Sequence, residues 1–210
     1  SCGRPVEAMT RQPAFLSSAI AIDPTPPAAP VTTTGPMSGF MPKRSSASTL
    51  SIAVKPAVPI AIASDAAFHF RYPEATELLE AVGLEPIPWS PLADEALPEE
   101  CRGVLLPGGY PELHAGQLAG SQRSLQDLAR AVRSGLPMVA ECGGLLLLGQ
   151  TLGDGEGNRH PMAGVLPFHA QRGELSLGYR EALASCHGLV VRRGERFVGH
   201  EFHRWQLESV

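Results

Sequence analysis

An α/β fold on a mostly parallel sheet is what the sequence predicts from residue 59 onward, and three observations predict it. Strand-like and helix-like stretches alternate four times between residues 59 and 152. One strand-like run, VLL, ends abruptly in the pair Gly108-Gly109. Beyond Gly153 the texture changes to short strand-like runs joined by tight turns. Such alternation favours parallel strands with helices on both faces of the sheet, and the β-rich C-terminal half is expected to extend that sheet.

Taken in order, PIAIA (59–63) reads as a short buried strand. PEATELLEAVG follows as a helix, with Pro73 near its start and Gly83 as its stop. EPIPW is a second, weaker strand, and CRGVLLPGG contains a third. In SQRSLQDLARAVRSG, Leu125, Leu128, Ala129 and Val132 recur at helical spacing; Ser121 or Ser124 is the expected cap and Gly135 the terminator. LPMVAE is the next strand, and GGLLLLGQTL the helix expected after it. The stretches MAGVLPFHA, ELSLGYREALAS, GLVVRR and RFVGHEFH read as strands.

Residues 1–58 differ in kind. They are rich in Pro, Ser, Thr and Ala, as in DPTPPAAPVTTTGPMSG, and hold no sustained period of 2 or 3.6. Such a segment buries too little apolar surface to offset its chain entropy, so it reads as a linker or disordered tail before a domain at 59–210. GPMSGFMPKRSS lacks the G-x-x-x-x-G-K-S/T spacing and a preceding strand, which argues against a phosphate-binding loop. The first residue is not Met, and the chain is expected to be a piece of something longer.

At 210 residues and 43% hydrophobic content the chain can bury one full core. A net charge of −4 gives no reason to expect nucleic acid or an acidic membrane as a partner. No run of some 18 apolar residues and no basic-then-apolar start occurs, so a cytoplasmic protein is expected. Cys2, Cys101, Cys142 and Cys186 are irregularly spaced without a C-x-x-C pair, which argues against a disulfide framework or a zinc site.

Ligands of open α/β sheets collect at the carboxyl ends of the strands. Two loops there carry chemistry. Pro107-Gly108-Gly109 leaves backbone N–H groups unshielded, suited to an oxyanion or carboxylate, although a plain tight turn explains the same residues. Glu141-Cys142-Gly143-Gly144 places a cysteine between strand and helix, an elbow that holds a nucleophile exposed, with the helix N-terminus favouring its thiolate; a structural cysteine is the alternative. A thiol nucleophile needs a base, and GHEFHRW offers His200 and His203 at the end of a late strand.

In order and spacing, DAAFHFRYPEATELLEAVG, WSPLADEALP, LLPGGYPELHA, AECGGLLLL, LGYREA and GHEFH resemble the C-terminal glutamine amidotransferase domain of the cobyrinic acid a,c-diamide synthase family. The resemblance covers about residues 59–206. It implies a class I glutamine amidotransferase-like, flavodoxin-like fold. It also implies that Cys142 attacks the side-chain amide of glutamine and releases ammonia, which the complete ligase uses to amidate the a and c carboxylates of a corrin in cobalamin biosynthesis. Gly109 and Gly143 match the family's oxyanion-hole positions, and His203 matches the histidine that activates the cysteine, with His200 as the fallback. Arg180 in GYRE is the candidate for holding the glutamine carboxylate.

ATP and Mg2+ are implied for the complete enzyme, none bound by this chain; a homodimer is one form open to that enzyme. Two departures stand out. Many class I amidotransferases carry a glutamate two residues after the histidine, where this chain has Trp205, so a third group is absent or comes from elsewhere. The ATP-binding synthetase half has no counterpart in these 210 residues. A γ-glutamyl peptidase-like thiol hydrolase and an inactive binding or regulatory module remain the alternatives.

Overall fold

The structure, a computed structural model, describes residues 20–22 and 56–210. Its first sheet holds five strands: β1 (Ile20–Ile22), β2 (Val58–Ala63), β3 (Leu84–Trp89), β4 (Val104–Leu106) and β5 (Met138–Ala140). The order is β1-β5-β4-β2-β3, with β1 antiparallel to β5 and every other pair parallel. Helix α1 (Pro73–Ala81) links β2 to β3; α2 (Ala115–Gly120) and α3 (Gln122–Arg133) lie between β4 and β5. The two connections run in opposite directions from the middle of the sheet, so right-handed crossovers put α1 and α3 on opposite faces. The reversal lies between β2 and β4, where such sheets open a crevice at their carboxyl ends.

Strand β1 belongs to the segment read as linker or tail; three residues are too few to give a periodic signal. Val58, also placed in that segment, opens β2, and residues 1–19 and 23–55 lie outside the described residues.

Core packing follows the expected apolar positions. Ile62, Leu106, Leu118, Leu128, Met138, Leu147 and Leu148 are fully buried. Helix α3 turns Leu125, Leu128 and Ala131 inward, the 3.6-residue stripe of its sequence. Ser121 is its N-cap residue, as expected, but the Ser121 side chain makes no capping bond. The Ser121 hydroxyl donates to the Gln117 carbonyl, and the Ser124 N–H is capped by Asp94 Oδ1 at 3.0 Å, from a 3-10 turn thirty residues earlier. Asp94 sits in left-handed backbone at φ 52°. Asp94→Ala therefore removes a cap and adds left-handed strain, with an expected loss of about 1–2 kcal/mol, read as a thermal midpoint lowered by a few degrees. An unchanged midpoint would mean that α3 needs no cap from this loop.

Three expectations for the second half are corrected. The C-terminal strands do not extend the first sheet; they form their own, ordered β7-β6-β8-β9, from β6 (Thr151–Gly153), β7 (Arg159–Pro161), β8 (Phe168–Leu183) and β9 (Arg196–Ser209). Both edges of the first sheet are closed to them. Strand β1 covers the outer side of β5. On β3, Pro86 and Pro88 are tolerated only with their nitrogens facing away from β2, which leaves that outer edge short of donors.

The helix after Cys142 is a single turn, α4 (Gly143–Leu146). It stops because the carbonyls of Leu147, Leu148, Gly149 and Gln150 accept from Ala163, Val165, Gly164 and Met162, partners that a longer helix would displace. Those contacts also keep 162–167 out of any strand, and 188–193 is a turn region between β8 and β9.

Candidate active site

Strands β4 and β5 are neighbours in register, Leu106 opposite Ala140, so the loops that leave their carboxyl ends meet. A Cβ built on Gly143 would stand 3.0 Å from the Gly109 oxygen and 3.1 Å from its nitrogen, so the two glycine backbones touch. Gly109 itself lies so close to the Ala67 carbonyl, 2.1 Å from where its Cβ would stand, that no larger residue fits. The N–H groups of Gly143 and Gly109 lie near enough to the Cys142 sulfur to favour its thiolate. The two expected oxyanion donors thus converge on one atom.

Cys142 has φ 50° and ψ −117°, left-handed backbone that a cysteine rarely adopts. Strain of this kind persists where the surroundings over-determine it, and on a strand-to-helix elbow it pushes the side chain out of the core. The expected thiolate-favouring helix is too short to dominate. Burial pushes the Cys142 thiol above its ordinary value; the Gly143 N–H draws it back, the charges of Glu141 and Glu112 raise it further, and the Gly109 N–H lowers it.

One cleft of about 330 Å³ is lined by Cys142, Gly109, Gly143 and His203, with Phe70, Tyr110 and Glu112 among the other walls. His203 sits on β9, and its Nε2 lies 2.7 Å from Glu201 Oε1. Its Nδ1 is buried without a hydrogen-bond partner. A ring with one nitrogen fixed by a carboxylate and the other without a partner is suited to carrying a proton. His200, the fallback, stacks edge-on against Tyr179 at 5.3 Å and is not among the cleft's walls.

Glu201 is the residue that the sequence reading missed. Its side chain is 1% exposed, and it binds Arg180 Nε at 2.6 Å through Oε2 and His203 through Oε1. Oε2 makes this ion pair without hydrogen-bond directionality. Burial works against its charge, but hydrogen bonds from Ser176 and His203 and the charges of Arg180 and His203 prevail and hold its carboxyl below the usual range. The signal was in the sequence: side chains alternate along a strand, so the residue two before His203 shares its face as surely as the one two after. At the latter position Trp205 donates Nε1–H to the Gly153 carbonyl at 3.1 Å and leaves His203 alone. Arg180, expected at the glutamine carboxylate, is engaged by Glu201 and by the Tyr179 carbonyl and does not line the cleft.

Residues 59–208 match the model of the CobB/CobQ-like glutamine amidotransferase domain. The chain belongs to that family. The fold is accordingly class I glutamine amidotransferase-like. Among curated proteins the chain is 44% identical over 162 residues to a cobyrinate a,c-diamide synthase of Synechococcus, covering 77% of this chain and 36% of that protein. It is 46% identical over 154 residues to the synthase of that name from Gloeobacter violaceus, covering 73% and 34%. It is also 44% identical over 150 residues to a hydrogenobyrinate a,c-diamide synthase of Streptomyces coelicolor, covering 71% and 30%. The chain thus spans about a third of the length of these relatives. An amidotransferase match of this extent speaks against the γ-glutamyl peptidase-like alternative.

Proposed function

We propose that the chain carries the glutaminase step of a glutamine-dependent a,c-diamide synthase that acts on a corrin. The observation that carries the reading is the meeting of Cys142, on its strained elbow, with the Gly109 and Gly143 N–H groups in the cleft that His203 lines. Cys142 Sγ attacks the side-chain carbonyl carbon of glutamine as its proton passes to His203 Nδ1. The carbonyl oxygen takes the negative charge and accepts from the two glycine N–H groups. His203 returns the proton to the leaving nitrogen, ammonia departs, and a γ-glutamyl thioester remains on Cys142. Water, activated by His203, releases glutamate and restores the thiol. Glu201 keeps the imidazole in the tautomer and orientation that this exchange needs.

Amidation of the corrin carboxylates requires an activated acyl group, for which ATP and Mg2+ are the implied agents. This chain's residues do not fit them. It has no G-x-x-x-x-G-K-S/T sequence, and among the described residues no three His, Cys, Asp or Glu side chains group as metal ligands. That half-reaction belongs to a part of the enzyme outside the chain. Among the described residues no helix is long and apolar enough to cross a membrane.

The test is to expose the purified chain to an electrophilic glutamine analogue and map the adduct by mass spectrometry. One adduct, on Cys142 and suppressed by free glutamine, is expected. Labelling of Cys142 by a small alkylating agent but not by the analogue would overturn the glutaminase reading and favour an inactive binding module.

A further inference from the structure

The glutaminase chemistry leaves two charged walls of the cleft, Glu112 and Arg204, without a task. Glu112 follows the Gly109 loop in a 3-10 turn, Pro111–His114, and lines the cleft with Cys142 and His203. It is half-buried, yet among the described residues no Arg, Lys or His lies within ion-pair distance of it. Its carboxylate accepts a hydrogen bond from its own N–H, and the charge of His114 assists it weakly; burial outweighs both and raises its carboxyl above the usual range. The other charged groups around the thiol are Glu141, His203 and, at the cleft wall, Arg204. A half-buried carboxylate without a cation, beside a nucleophile whose ionisation it opposes, is a seat for a positively charged group.

We propose that Glu112 binds the α-ammonium group of the substrate, so that the cleft takes γ-glutamyl amides with a free amine and turns away those without one. The proposal rests on the glutaminase reading above and deepens it. Its consequence concerns timing. With the ammonium in place, the negative charge that Glu112 sets against Cys142 is cancelled, and the thiol yields its proton to His203 more readily. The nucleophile is then armed by the substrate rather than at rest, which limits idle reaction of the thiol with other electrophiles.

The experiment compares labelling of Cys142 by the diazoketone analogue of glutamine with labelling by the same diazoketone lacking the α-amine. Wild type, Glu112→Gln and Glu112→Asp are followed by intact mass, with iodoacetamide as a neutral probe of the thiol. The wild type is expected to favour the amine-bearing reagent, and Glu112→Gln to slow that reagent at least about tenfold while changing the amine-free one less than about twofold. Glu112→Asp keeps part of the preference. Iodoacetamide reports that each variant is folded around an accessible thiol, and in Glu112→Gln its reaction is faster at neutral pH, since a negative neighbour is gone.

Equal labelling of the wild type by both reagents, or equal slowing of both in Glu112→Gln, would overturn the ammonium assignment and leave the glutaminase reading standing. Failure of the amine-bearing reagent on a wild type that iodoacetamide labels would overturn both.

Discussion

Gly144→Ala is expected to destabilise the fold severely and to dismantle the site. A Cβ at Gly144 would lie 2.2 Å from the Leu106 carbonyl oxygen, 2.6 Å from its carbon and 2.7 Å from its Cβ. These are atoms of β4, a central strand held on both sides by β2 and β5, so they cannot swing away as a flexible side chain would. Leu106 O also accepts the Glu141 N–H at 2.9 Å, the bond that holds the elbow against β4. Room for the methyl comes only by lifting α4 or breaking that bond. The expected loss is at least about 3 kcal/mol, a drop of about 6–12 °C in thermal midpoint for a chain of this size, together with loss of analogue labelling at Cys142. Gly120→Ala is the control. Nothing lies within 4 Å of its Cβ and its φ is not positive, so it should be neutral or slightly stabilising. A Gly144→Ala protein as stable as the control would show that the close approach at the elbow is not required.

What the sequence made legible, and what it hid, divides along physical lines. Strands β2, β4 and β5 and helix α3 were readable because each carries its own apolar pattern and its own stop signals. The length of α4 was not. Four leucines propose a helix, but the decision lay with residues 162–166, whose N–H groups capture the carbonyls that the helix would need. The capping bond of α3 was hidden for the same reason, since Asp94 acts from a turn remote in sequence. Cys142, Gly109 and Gly143 could be named because a strand-glycine-helix junction is a local pattern. Their convergence on one sulfur depended on β4 and β5 being neighbours, which only sheet order decides. Arg180 was found, but its pairing with Glu201 was not. On β8 it pairs with Gly199 of β9, and the Gly178–Glu201 pair two positions along, on the same face, brings its guanidinium to a carboxylate that sequence distance concealed.

Glu201→Gln is expected to lower the glutaminase kcat on the order of 10²- to 10³-fold while leaving KM nearly unchanged. Glu201 touches His203 and not the cleft's contents, so it is a positioning residue, and its loss acts on the proton carrier rather than on binding. The amide is isosteric but uncharged. It no longer favours the imidazolium that forms as Cys142 is deprotonated, and it presents two donors that compete with His203 Nε2–H for orientation. Arg180→Met should cost less, about tenfold, because Ser176 and His203 still hold the carboxylate.

The double variant decides the mechanism. If Glu201 acts through His203, then His203→Ala with Glu201→Gln is no slower than His203→Ala alone; a further multiplicative loss would mean that Glu201 serves the reaction by another route. Acid titration gives an independent reading. The carboxyl of Glu201 titrates below its unfolded value, so its stabilising contribution is complete above the usual glutamate range and declines as pH falls through the lowered value. The wild type should therefore lose stability more steeply than Glu201→Gln below the usual glutamate range, and the two curves should run parallel above it. Parallel curves throughout would show that the buried carboxylate is not linked to folding in the way that its contacts with Arg180, Ser176 and His203 require.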